Sequence, residues 1–93
     1  MIVGTLTVDL LVHESQSLKD KRRVVKSLKD RLKSRFNVSV AEIGDLDDRQ
    51  RACIGLATIS NDKRVVERTL SLALQFVEQS YLAEITDHVV EIL

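Results

Sequence analysis

The 93-residue chain has no proline and no tryptophan, one cysteine, three glycines and only three aromatic residues, Phe36, Phe76 and Tyr81. Each scarcity removes a class of protein. A lone cysteine, Cys53, forbids an intramolecular disulfide and suits a reducing cytoplasm, where we expect the protein to work. No stretch approaches the ~20 apolar residues that span a bilayer, so no membrane partner is expected. The opening "MIVGTLTVDLLVHE" lacks a basic leader and carries Asp9 mid-run, which does not read as a signal peptide. Without Gly/Ser linkers, low-complexity tracts or repeats, residues 1–93 read as a single domain. A domain of this size buries roughly 60–65% of its unfolded surface, and 44% hydrophobic composition is enough for one core.

Metal and cofactor chemistry is also thinly supplied. His13, Cys53 and His88 are isolated, with no C-x-x-C or H-x-x-x-H spacing. His13, between strand 1 and helix 1, can join an anion site when protonated, whereas His88 beside Val89 and Val90 reads as a strand-edge residue. Asp45, Asp47 and Asp48 form either a loose divalent-ion site or simply an acidic hairpin tip. We expect no cofactor, no metal and no small-molecule substrate, and no nucleophile–base–orienter set can be assembled. The expectation is a non-enzymatic protein.

What is present is regular patterning. Residues 2–13 alternate, with Ile2, Leu6, Val8, Leu10 and Val12 on one face and Thr5, Thr7 and Asp9 on the other, as in a half-buried strand. Ser17 and Asp20 resemble a capping box with Asp in place of Glu. From there to Phe36 the period is helical: Leu18, Val25, Leu28, Leu32 and Phe36 fall within about 80° of arc. Strands follow at 37–45 and 51–60, joined by the polar "LDDRQ". Asn61 or Asp62 caps a second helix ending near Ser80, with the seam Val66, Leu70, Ala73, Val77 and with Leu74 and Tyr81 alongside. A last strand covers about 83–93.

The order is β-α-β-β-α-β, the ferredoxin-like α/β (α+β) plan. We expect a four-stranded antiparallel sheet of order 4-1-3-2 with both helices on one face. In strand 3, Ala52, Ile54 and Leu56 are expected to face the helices. That leaves Val3, Thr5, Thr7, Asp9, Cys53, Gly55, Ala57 and Ile59 on the open face. Acylphosphatases, small enzymes of this plan, need a glycine-bearing phosphate loop after strand 1. Here no glycine occurs between Thr5 and Ile43, and that activity is set aside.

The charge is segregated. Overall, 14 basic residues match 14 acidic ones, yet "SLKDKRRVVKSLKDRLKSRF", residues 17–36, holds nine basic residues and two acidic. That segment carries +7 and the remainder −7. Lys19, Arg22, Lys26, Lys29 and Lys33 follow 3-4-3-4 spacing and form one ridge, flanked by Arg23, with Arg31 and Arg35 on the far flank. The helix N-terminus, beside Lys19, Lys21 and Arg22, adds a candidate phosphate site. Two readings stand: an anion-binding surface, or a solvated face answered by Glu67, Glu78 or the Asp47/Asp48 tip.

The block "SLKDKRRVVKSLKDRLKSRFNVSVAEIGD", followed by "RACIGLATIS", resembles the YlxP-like family of small bacterial proteins of uncharacterised function. The resemblance covers essentially the whole chain. It implies a ferredoxin-like domain of this length and, because members are commonly encoded among genes for transcription elongation, translation initiation and ribosome maturation, points towards RNA or the ribosome. It carries over no catalytic residues.

Together these readings give an expected partner, structured RNA or a ribosomal assembly, bound through Lys19, Arg22, Arg23, Lys26, Lys29 and Lys33. Base stacking across the sheet is excluded, since strands 1 and 3 contain no aromatic residue. The alternative is a protein–protein adaptor or homodimer using the open sheet face and a second helix-2 ridge, Val65, Thr69, Leu72 and Phe76. That ridge can instead pack sideways on helix 1.

Overall fold

The computed structural model describes residues 1–93. The elements are β1 (Ile2–Leu11), α1 (Leu18–Arg35), β2 (Ser39–Gly44), β3 (Arg51–Ser60), α2 (Lys63–Ser80) and β4 (Glu84–Ile92). All neighbouring strands are antiparallel and the sheet order is β2-β3-β1-β4, which read from the other edge is 4-1-3-2. This is the ferredoxin-like fold expected from the element order. No helix is long and apolar enough to cross a membrane.

Alternation in β1 buries Leu6, Val8 and Leu10 on the helix side, with Val12 continuing the row. Ala52, Ile54 and Leu56 in β3 share that side, as does Val40 in β2. α1 contributes Val25, Leu28 and Leu32, and α2 contributes Val66, Leu70, Ala73 and Val77. The α2 seam read from the spacing is buried throughout, while the α1 seam is buried in its middle and only half-buried at its ends, Leu18 and Phe36. α1 lies over β2 and β3, while α2 lies over β1, β3 and β4.

Helix ends follow capping chemistry. Ser17 Oγ accepts the Asp20 N–H at 3.1 Å, and Asp62 Oδ1 accepts the Arg64 N–H at 2.9 Å, so Asp62 rather than Asn61 caps α2.

Three sequence expectations shift. β1 stops at Leu11, because the next residue leaves the ladder and Val12 N–H bonds to Gln50 O at 2.7 Å. β2 is shorter than 37–45: before it Val38 N–H bonds back to Phe36 O at 2.9 Å, and after it Asp45 adopts a left-handed φ of 58° that turns the chain. Tyr81 does not continue the α2 seam. It is the helix C-cap with φ 56°, so the wheel no longer applies and its ring is 90% exposed. Of the second α2 ridge, Phe76 packs edge-to-face on Phe36, with centroids 6.1 Å apart, while Val65 and Leu72 stay half-exposed.

α2 sits on β1 at Gly4. A Cβ built there would lie 2.3 Å from Val66 Cγ1 and 3.0 Å from Leu70 Cδ1, so the absence of a side chain sets the helix–sheet distance. Gly4→Ala is expected to destabilise the fold by about 1–3 kcal/mol through overpacking, read as a lower urea midpoint with an unchanged m value.

Candidate nucleic-acid interface

Why α1 faces as it does is set by one residue. Lys21 stands in line with Val25, Leu28 and Leu32 at 4-3-4 spacing, which turns it inward, and its side chain has no exposure. Its Nζ donates to Asp45 O at 2.7 Å, to Arg51 O at 3.1 Å and to Leu46 O at 3.4 Å. Glu42 Oε2 lies 3.2 Å away and has no hydrogen-bond partner of its own, so its buried charge relies on this ammonium. Lys21 thus clamps α1 to the β2–β3 hairpin.

This corrects the candidate phosphate site at the helix N-terminus. Lys21 is committed to the hairpin, Ser17 already takes the Asp20 N–H, and the Asp20 carboxylate accepts the Gln16 N–H at 3.3 Å. A negative charge therefore stands where the anion was expected. His13 is also redirected, with Nε2 3.3 Å from Glu84 Oε2.

With Lys21 inside, helical periodicity sends the ridge outward. Lys19, Arg22, Arg23, Lys26 and Lys33 are exposed and Lys29 is half-buried beside the seam. The opposite flank meets α2, where the Arg35 guanidinium lies 4.8 Å over the Phe76 ring, a cation–π contact. The ridge consequently occupies the α1 flank turned away from α2.

Its charge is nearly unanswered. Lys26 pairs with Asp30 at 2.7 Å; that hydrogen bond raises the Lys26 pKa and lowers that of Asp30. Lys19, Arg22, Arg23, Lys29 and Lys33 have no carboxylate within 4.0 Å. The acidic groups that might have matched them are engaged elsewhere or far off. Glu67 pairs with Lys63 on α2. Asp48 accepts the backbone N–H groups of Arg51 and Gln50 at 2.7 and 2.8 Å, which hold its carboxyl below the usual range. Glu78 lines a groove of about 1060 Å³ between the ends of α2, β1 and β4 and the start of α1, together with Glu14, Asp20, Glu84 and Asp87. That groove is acidic where the α1 ridge is basic.

The six residues named from the sequence thus stand on one side of one helix. Missed was the inward turn of Lys21. Its place in the 4-3-4 seam was the available signal.

The family described as "Protein of unknown function (DUF503)" matches residues 3–90. "Uncharacterized protein YlxP" of Bacillus subtilis (strain 168) is 34% identical over 77 residues, covering 83% of this chain and 84% of the relative. Among solved structures, the de novo designed protein Foldit4 matches with a TM-score of 0.51 at 16% identity, over 100% of this chain and 94% of that one. LarC2, the C-terminal domain of a cyclometallase involved in synthesis of the NPN cofactor of lactate racemase, matches at 0.50 and 10% identity, over 100% of this chain and 55% of that one. At these identities the two structures share the fold with this chain and nothing more.

Lys21→Met is expected to cost about 3–5 kcal/mol, because it strands the Glu42 carboxylate without its cation. The exposed Lys26→Met should leave stability close to that of the wild type. Chemical denaturation of the two variants side by side checks the contrast.

Proposed function

The chain belongs to the DUF503 family, and from the geometry of its basic helix we propose that it is a non-enzymatic cytoplasmic protein that binds structured RNA or a ribosomal assembly. The observation that carries this reading is the row of unpaired cations on α1. Like charges three and four residues apart repel by a few tenths of a kcal/mol per pair. Here Asp30 relieves only part of that, so the ridge is held at a cost that an external polyanion would remove.

From Lys19 to Lys33 the ridge runs about 21 Å, fourteen steps of ~1.5 Å, long enough to meet several backbone phosphates. Lys19, Arg22, Arg23, Lys26, Lys29 and Lys33 make these contacts as point charges or guanidinium forks. Contacts of this kind position a nucleic acid without reading its bases. With no aromatic residue on β1 or β3, single-strand stacking is not the mode, and recognition is by the shape of a folded RNA.

The test is binding of ribosomal RNA fragments, followed by fluorescence anisotropy at two salt concentrations, for the wild type and for a variant carrying Arg22→Gln, Lys26→Gln, Lys29→Gln and Lys33→Gln. Each phosphate contact contributes about −0.7 to −0.9 to the log–log salt slope. The variant, with an unchanged circular dichroism spectrum, should therefore bind more weakly with a slope flatter by about 2–4. Equal binding by both proteins, or none by the wild type, would reject the reading; saturable salt-sensitive capture of an acidic protein instead would assign the ridge to a protein partner.

A further inference from the structure

We propose that the open face of the sheet is a homodimer interface, closing on a second copy of this chain about a two-fold axis that runs along the strands between β1 and β3. The inference stands on the register of the four strands and does not depend on the RNA reading.

The register fixes which side chains share this face. Val3, Thr5, Thr7 and Asp9 of β1 lie beside Ile59, Ala57, Gly55 and Cys53 of β3. Glu91, Val89 and Asp87 of β4 flank Thr5, Thr7 and Asp9, and Ser39 and Ala41 of β2 flank Ala57 and Gly55. No lysine is among these residues, although the chain carries 14 basic residues. A solvated sheet face ordinarily shows polar side chains in alternation. Here Ile43, Ile59 and Val89 are 56%, 53% and 50% exposed, and the centre is small and flat. Ile43 lies down across Gly55, where an added Cβ would come within 3.1 Å of its Cδ1.

Rotation about the proposed axis sets β3 over the partner's β1 and β2 over the partner's β4. Gly55 then meets the partner's Thr7, Ala57 the partner's Thr5, Ala41 the partner's Val89, and Ile59 the partner's Val3. Small opposes larger at the first three, the interdigitation that dense packing requires. The other in-plane axis, across the strands, would set Asp87 against the partner's Glu91, like charge on like. Along the chosen axis Asp87 meets the partner's Ile43 instead. The chosen axis keeps level along the strands, so it brings Asp9 and Asp87 of both copies to the same end of the face, an end that has to stay open to water because buried, unpaired carboxylates are costly.

The extent fits a dimer. Four strands about 4.8 Å apart and up to ten residues long cover about 600 Å² per copy, or about 1,200 Å² for the pair, the lower end of specific interfaces. Cys53 serves here as a small apolar residue, since burial and the neighbouring Asp9 push its thiol up to about 11.

The experiment is sedimentation velocity on the full chain from about 1 to 500 µM, a range wide enough to populate a dimer with an interface at the lower end of specific sizes. The expected result is a shift from 10.5 kDa to twice that mass. Thr7→Lys and, separately, Ala57→Lys place a charge on the axis-proximal strands and should hold the protein at monomer mass while circular dichroism stays native. The fourfold ridge variant should dimerise like the wild type, which separates this interface from α1. A wild type that remains at monomer mass throughout, or folded lysine variants that still dimerise, would overturn the proposal.

Discussion

The ammonium of Lys21 fixes the rotation of α1 about its own axis, and much of the rest depends on that rotation. Three carbonyls of the β2–β3 hairpin and the Glu42 carboxylate surround it. An apolar side chain could fill the space but would leave those acceptors unpaired in a region that water does not reach. The helix therefore cannot roll without stranding a buried charge. Because residues 19, 22, 26, 29 and 33 sit at a fixed angle from position 21, the clamp that secures the hairpin also aims the basic ridge.

The strand register also segregates charge. The register pairs Leu11 with both Arg51 and Glu84, so the β1–α1 loop, the β2–β3 hairpin and the α2–β4 connection share one end of the sheet. Glu14, Asp45, Asp47, Asp48 and Glu84 gather there, while the ridge runs along the side of α1. A protein with no net charge thus presents a local field of each sign. Under the proposed function, a field divided in this way would orient a polyanion before contact.

The sheet divides the molecule by side-chain size as well as by polarity. On one face, long aliphatic residues meet two helices and make the core. On the other, glycine, alanine, threonine and half-exposed isoleucine and valine, with Asp9, Asp87 and Glu91 among them, leave a shallow surface with no lysine. The fold closes one side of a two-sided element and leaves the other able to receive a second layer.

Periodicity determined the element order and the seams Val25–Leu28–Leu32 and Val66–Leu70–Ala73–Val77, because each residue's facing follows from neighbours three, four or two positions away, and the sheet order followed from the fold plan that this element order matches. It also determined that Lys19, Arg22, Lys26, Lys29 and Lys33 share a side of one helix. Only the tertiary structure decided what Lys21 does, since the three carbonyls it donates to lie 24 to 30 residues along the chain and carry no residue-specific signal, and only the fold brings the Glu42 carboxylate beside it. Tyr81 escaped the wheel for a related reason: a single left-handed residue ends the helix, and nothing in its side chain announces that. That the ridge carries one ion pair rather than several was likewise decided in three dimensions, by distances between elements that spacing along the sequence does not contain.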